Sequence, residues 1–259
     1  MIPVLIVIGI LILAYFAFFL ENRRFTVRHE TISHANVKDP FTVVQISDLH
    51  NARFGTEQQK LLTAINDAHP DMILITGDLF DRHRKHACSN TLALIKGVVR
   101  IAPTFFSEGN HEISLGEAGE KYVETIRDMG ITVLRDEYVD LLPARVIGLK
   151  QYASPDVLTA LLTPERLNLV MAHRPERFPI YAGTGADVIL SGHAHGGQIR
   201  LFGIGVYAPQ QGFFPKYTCG VYPCGRSLLH VSRGLGNTIL FPRVFNTPEL
   251  NILEFKPIK

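Results

Sequence analysis

Five short blocks carry the side chains that could do chemistry. They are S-D-L-H with Asp48 and His50, G-D-L-F-D with Asp78 and Asp81, G-N-H-E with Asn110, His111 and Glu112, A-H-R-P with His173, and G-H-A-H with His193 and His195. Each follows an apolar run that reads as a strand, so its polar groups stand where the strand stops, the position at which open α/β sheets gather their ligand sites. A single D-x-H pair or one histidine at a strand end is commonly a hydrogen-bonded structural residue. Five in succession ask for a shared cause. The donors are imidazole, carboxylate and amide groups without cysteine, which argues against a closed structural zinc site. They suit two divalent ions about 3.5–4 Å apart that share one carboxylate, bind a phosphoryl oxygen and turn a bridging water into hydroxide.

The elements that must position these blocks are legible as an alternation. FTVVQIS, MILITG, PTFFSEG, LNLVMAH and DVILSGH have the length and apolar character of buried strands, while EQQKLLTAINDA, CSNTLALIKGVV and EKYVETIRDMG have helical spacing. This rhythm predicts an α/β fold with a sheet covered by helices. The last sixty residues change character: GGQIRLFGIGVYAP, SLLHVSRGLGN and LNILEF predict a second, more antiparallel sheet.

Ile2 to Leu20 carry no charge and would span about 28 Å as a helix, close to the hydrocarbon thickness of a bilayer. A cleaved signal peptide would need a basic residue before the run, a shorter run and a small-x-small cleavage site, and none is clear. Residues 1–20 are therefore read as a transmembrane anchor, 21–40 as a polar juxtamembrane tether and 41–259 as one large domain. Arg23, Arg24 and Arg28 follow the apolar run, so the positive-inside rule places the domain on the cytoplasmic side of the cell membrane. Charge is nearly balanced, 26 Lys and Arg against 24 Asp and Glu, which gives no global basic field for nucleic acid. The three cysteines, Cys88, Cys219 and Cys224, do not resemble a secreted disulfide framework, and the C-x4-C pair lacks the second half of a zinc site.

From Phe41 to Phe255 the ordered set of blocks resembles the calcineurin-like metallophosphoesterase family. The resemblance implies a four-layer α-β-β-α sandwich of two mixed sheets, here preceded by the N-terminal transmembrane helix. Carried over residue by residue, it implies that Asp48, His50 and His195 hold one ion, that Asn110, His173 and His193 hold the other, and that Asp78 bridges them. The ions would be manganese, with zinc or iron as alternatives. His111, beside a ligand, is suited to protonate the leaving oxygen as general acid, and the family pattern pairs it with Asp81 to orient the ring. A loop-capping carboxylate is the other reading of Asp81. Glu112 is read as structural.

The apolar N-terminus, the GHAHGGQI extension and the late VSRGLGNT segment look like the branch containing membrane-associated phosphodiesterases and UDP-2,3-diacylglucosamine hydrolases. That likeness implies hydrolysis of a phosphodiester or pyrophosphate in a lipid-linked substrate. A soluble phosphodiester such as a cyclic nucleotide is the alternative substrate, and a membrane-bound scaffold without turnover is the alternative class; intact ligands and an intact His111 count against the latter. Arg233 and Asn237, in a Gly-rich loop after a strand, are expected either to contact the substrate phosphate or head group or to form a structural turn. The run RHRKH, Arg82 to His86, is expected to be a solvated face, with contact to anionic groups as its alternative.

Overall fold

The computed structural model describes residues 2–83, 88–237 and 242–258, and within 2–11 the side chains of residues 8 and 9 only. The first sheet is built on four parallel strands in chain order, β2 (Phe41–Ile46), β3 (Met72–Ile75), β4 (Thr104–Phe106) and β5 (Thr132–Val133). The C-terminal strand runs antiparallel along β2, and β1 (Thr26–His34) pairs with it in parallel at the edge. The second sheet is parallel at its centre, with β7 (Ala144–Gly148), β8 (Leu167–Met171), β9 (Val188–Ser191) and a late strand, Ser227–Val231, side by side. Antiparallel edges are supplied by β6 (Glu137–Asp140) and β10 (Gly220–Cys224). In chain order the late strands are β11 (Ser227–Val231) and β12 (Glu249–Pro257).

Three apolar clusters separate four layers. Val44, Ile46, Ile73 and Ile75 turn outward against α2 (Gln59–Asp67), α3 (Ser89–Val98) and α5 (Glu117–Asp128), which follows the short α4 (Asn110–Ser114). Val43, Met72, Leu74 and Phe105 turn inward to meet Val146, Leu169, Met171 and Leu190 of the second sheet. The outer face of that sheet packs Ile147, Val170 and Ile189 on α6 (Pro155–Leu161) and α7 (Phe178–Ala182). Strands covered on both faces favour apolar residues at every position, which is why MILI reads as a continuous run; in LNLVM the one polar residue, Asn168, is buried with its amide donating to Asp187. The helices need one stripe only: Leu61 and Ile65 on α2, Val123 and Ile126 on α5.

Two expectations are corrected. The stretch 21–40 is not a tether throughout, because Thr26–His34 forms nine backbone-paired positions with β12. Ile32 is the one buried residue of that edge strand, so no apolar alternation announces it. The last sixty residues do not make a separate antiparallel sheet: β11 joins the second sheet parallel to β9, and β12 returns to the first. Its Leu250 and Ile252 meet the helical layer while Leu253 and Phe255 enter the core between the sheets. GGQIRLFGIGVYAP folds into two small hairpins, Arg200–Leu201 with Ile204–Gly205 and Tyr207–Ala208 with Gly212–Phe213.

The N-terminal run forms α1 (Ile2–Glu21), preceding all of these. Among the described residues no helix is long and apolar enough to cross a membrane.

A buried polar bridge ties the two sheets. Gln45 of β2 donates from Nε2 to Thr76 Oγ1 and Ser191 O, at 3.1 and 3.0 Å, and its Oε1 lies 2.7 Å from His230 Nδ1 of β11. Burial, with a smaller effect of Arg28, pushes the His230 imidazole down to about 3. The unfolded chain, with an ordinary histidine near 6.5, takes up this proton first, so the contribution is complete above that pH. It is lost as pH falls toward 3, at about 1.4 kcal/mol per pH unit. Urea unfolding of His230→Gln should show a flatter loss of stability between about pH 6 and 4, by close to one proton. A slope equal to that of the parent protein would contradict this account of the bridge.

Candidate active site

All five blocks lie at the C-terminal ends of parallel strands, on the edge where the two sheets come together. The loops after β2 and β3 are laced by backbone bonds: the N–H groups of Asp48, His50 and Asn51 donate to the carbonyls of Gly77, Asp78 and Leu79, each at 3.0 Å. Gly192 N–H donates to His173 O, joining the loops after β8 and β9, and Leu235 N–H donates to Ser47 O across the sheets. Asp48, His50, Asp78, His193 and His195 all have left-handed backbone, with φ of 49°, 46°, 55°, 65° and 47°. Each such residue costs of order 1–3 kcal/mol and persists only where its surroundings hold it. Here the lacing holds it, and the turn it forces aims the side chain back over the sheet edge. Gly109 and Gly192 make room: a Cβ on the first would overlap Asp78 Oδ1, and one on the second would overlap Ser47 Oγ and Asp48 Oδ2.

The donor atoms fall into overlapping groups, each within 4.8 Å of one another: Asp48, His50 and His195; Asp78, His173 and His193; and His50, Asp78 and His111. His50 Nε2 lies 3.2 Å from His195 Nε2 and 3.7 Å from Asp78 Oδ2, and His195 Nε2 lies 3.7 Å from Asp48 Oδ1. On the other side His173 Nε2 is 3.4 Å from Asp78 Oδ2 and 3.3 Å from Asn110 Oδ1. Two ligands on one ion at about 2.1 Å stand roughly 3.0–3.4 Å apart, so these spacings fit a pair of ions with Asp78 between them.

Surrounding groups fix the rings. His173 Nδ1 donates to Thr76 O at 2.7 Å, which leaves Nε2 for the centre. His193 Nε2 faces Gln210 Oε1 and Arg174 Nη1, leaving Nδ1 to bind. Arg243 Nη2 lies 3.0 Å from His195 Nδ1 and also donates to Gly236 O, while its Nη1 donates to Arg233 O. Asp48 accepts from Ser47 Oγ and the His193 amide, and Asp78 Oδ1 accepts from the His111 amide at 2.8 Å. Glu112 accepts three backbone N–H bonds, from Asp78, Phe80 and Gly109, and so locks two loops together. Burial and the nearby Asp78 push its carboxyl up to about 7.

Burial lowers His50, His195 and His193, the last to about 3, so their rings are neutral with lone pairs available. Burial also raises Asp48 to about 6. At His173 burial would favour the neutral ring, but Asp78 outweighs it and raises the imidazole to about 9; Asp78 is held well below the carboxylate range by the surrounding histidines despite its burial. Three neutral imidazoles and two carboxylates, with His173 giving up its proton on binding, form a nitrogen and oxygen donor set suited to divalent transition-metal ions.

The structure brings Asp48, His50, Asp78, Asn110, His111, His173, His193 and His195 together, and treats three other expected residues differently. Asp81 Oδ1 stands 3.7 Å from His111 Nδ1 and accepts from the His83 amide at 2.9 Å, in the manner of a loop cap. The hydrogen bond at His111 Nδ1 comes instead from the Arg82 amide, at 3.1 Å. An acceptor at Nδ1 puts the proton of the neutral ring on Nε2, with Asp81 standing within ion-pair distance of the same Nδ1. Arg233 pairs with Glu249 at 3.3 Å, and Asn237 Oδ1 accepts from Gln198 Nε2, also at 3.3 Å. Of RHRKH, Arg82 and His83 are exposed and the remaining three lie outside the described residues. Arg243 and Gln210 carry no signal in the sequence, each being a single residue in a loop remote from the blocks, whereas Arg174 lies inside A-H-R-P, directly after His173.

Comparison with known proteins agrees with this geometry. The family model for calcineurin-like phosphoesterase matches residues 41–197. The phosphodiesterase YaeI of Escherichia coli is 29% identical over 246 residues, covering 88% of this chain and 87% of its own. An uncharacterized metallophosphoesterase of Campylobacter jejuni is 29% identical over 243 residues, 89% of this chain, which spans 63% of that relative's length. Among solved structures, the sulfate thiohydrolase SoxB of Thermus thermophilus superposes with a TM-score of 0.50 at 12% identity, over 90% of this chain and 57% of SoxB, a likeness of fold alone. With its family model spanning most of the chain and its donors grouped for two ions, this protein belongs to the calcineurin-like phosphoesterases, as a metal-dependent phosphoesterase.

Proposed function

We propose that the protein is a membrane-anchored phosphoesterase that hydrolyses a phosphodiester or pyrophosphate in a lipid-linked substrate, of the UDP-2,3-diacylglucosamine or phospholipid type. The observation that carries the chemistry is the pair of donor groups meeting at Asp78. In this reading Asp48, His50 and His195 hold one divalent ion, Asn110, His173 and His193 the other, and manganese is the ion in both. Such ions polarise a phosphoryl oxygen and make water a nucleophile near neutral pH. The chain's own residues do the rest. Asp78 holds the two halves in register, and Glu112 fixes its loop. His111 acts as general acid from its imidazolium form, giving the Nε2 proton to the departing oxygen and returning to the neutral ring, with Nδ1–H turned from the Arg82 amide to Asp81 Oδ1, 3.7 Å away, while the ring is charged.

The lipid-linked substrate follows from the N-terminus. Ile2–Leu20 is uncharged, α1 is 20 residues long, and its described part exposes Ile12, Leu13, Phe16 and Leu20. Taken over its whole sequence, beyond the side chains described, the uncharged run Ile2–Leu20 would measure about 28 Å as a helix, close to the hydrocarbon thickness of a bilayer, and Arg23 and Arg24 after it favour a cytoplasmic domain. Turnover by full-length, metal-loaded protein should be greater on lipid-linked phosphodiesters than on cyclic nucleotides when both are assayed with and without detergent. Preference for the cyclic nucleotide under both conditions would favour the soluble-substrate reading.

For His111, loss of proton donation should separate from loss of metal. His111→Ala should retain its ions yet slow hydrolysis by about 10²–10⁴-fold for an alkoxide leaving group. A nitrophenolate, stable without a proton, should be affected least. Loss of metal, or equal slowing across a series of graded leaving groups, would assign the ring to ion or phosphate binding.

A further inference from the structure

The hairpins after G-H-A-H, and the loop that carries Arg243, expose an unusual number of large apolar side chains. Leu201, Phe202, Ile204, Phe213, Phe214 and Phe245 are all exposed, Phe202 completely. Phe202, Phe214 and Phe245 also sit on left-handed backbone, with φ of 51°, 52° and 51°. A bulky residue there is an outlier, and a fully exposed ring recovers nothing from intramolecular packing. Strained, exposed phenylalanines that the domain does not use point to a surface outside it.

This patch is continuous with α1. The Phe18 and Phe245 rings meet edge to face with centroids 5.3 Å apart. Asn22 accepts from the Arg243 amide at 2.8 Å and donates to its carbonyl at 2.9 Å, and Thr247 donates to Glu21 at 2.8 Å. The Phe245 loop is joined in turn to the first hairpin, since Arg200 N–H donates to Val244 O at 2.9 Å. Phe18 lies four residues inward of Asn22, about 6 Å along the helix. A ring that touches Phe18 therefore sits about as deep as the boundary between head groups and acyl chains, where interfacial side chains insert roughly 5–10 Å. Exposed Arg23, Arg24 and Lys216 border the patch with positive charge, as expected beside an anionic leaflet.

We propose that these hairpins and the Phe245 loop form a second membrane contact, with Phe202, Phe213, Phe214 and Phe245 inserted into the interface of a phospholipid bilayer; the proposal rests on the reading of α1 as an anchor. Because Arg243 links this surface to His195, the contact seats one side of the metal centre at the level of the lipid phosphates. A groove of about 440 Å³ between Arg200, Phe202, Arg233 and Phe245 opens on the same face. Substrate then reaches the centre from the leaflet, without leaving it.

The protein has no tryptophan, so single substitutions report position directly. Full-length Leu13→Trp, Phe202→Trp and Leu142→Trp variants would be placed in vesicles of zwitterionic and anionic phospholipids with brominated acyl chains. Leu142 is fully exposed between β6 and β7, at the opposite edge of the second sheet from β10. The emission of the Phe202→Trp variant should be blue-shifted and quenched by the brominated lipid, while that of Leu142→Trp should be neither. An unquenched Phe202→Trp variant overturns the proposal, and quenching of Leu13→Trp in the same experiment would show that the anchor reading stands without it. Quenching of Phe202→Trp without Leu13→Trp removes the anchor and overturns the proposal of a second contact beside it. A shift of Phe202→Trp with protein concentration and not with brominated lipid would assign the patch to a second copy of this chain, which also overturns it.

Discussion

Two carboxylates and a cluster of imidazoles packed into the seam between two sheets are the arrangement on which the rest of this molecule depends. Buried ionisable groups at these separations are costly unless something of opposite charge lies among them. The chain supplies part of that compensation itself, through the pairing of Asp78 with His173 and the backbone amides that point at Asp48, Asp78 and Glu112. Divalent cations would complete it. The left-handed residues, the glycines that clear space beside the carboxylates and the lacing between loops are the structural cost of holding such a cluster in place.

Much of this was legible because the motifs are local. An apolar run that ends in Asp-x-His states both the strand and the ligands within nine residues, and the same holds for each block after it. Groups that act across long distances in the chain left no such trace. Arg243 reaches His195 over 48 positions, and Gln210 reaches His193 over 17, each from a loop with no periodicity to read. A second partner of His111, beside Asp81, is a backbone amide, which every residue possesses and no sequence pattern marks. At the fold level, β1 was hidden because an exposed edge strand is held by hydrogen bonds of its backbone, and β12 was misplaced because apolar character alone does not say which sheet a strand enters.

The same loops that complete the centre also face away from it. Arg243 bonds inward to the His195 ring and through its own backbone to Asn22 at the end of α1, so one residue couples the N-terminal helix to the catalytic edge. Its guanidinium is fully buried and burial pulls it down to about 10, which leaves it charged at neutral pH and able to donate. The N-terminal helix, the apolar hairpins and the candidate metal ligands thus form one connected construction held by shared contacts.

The central claim is that Asp78 is shared by two ions, and metal stoichiometry tests it most directly. Asp78→Asn keeps the size of the side chain and removes the charge that attracts both ions at once. Reconstituted with manganese and freed of loosely held metal, the parent protein should retain two ions per chain; the variant should retain fewer than two and lose phosphodiester turnover. Two tightly held ions with near-normal turnover in Asp78→Asn would contradict the account.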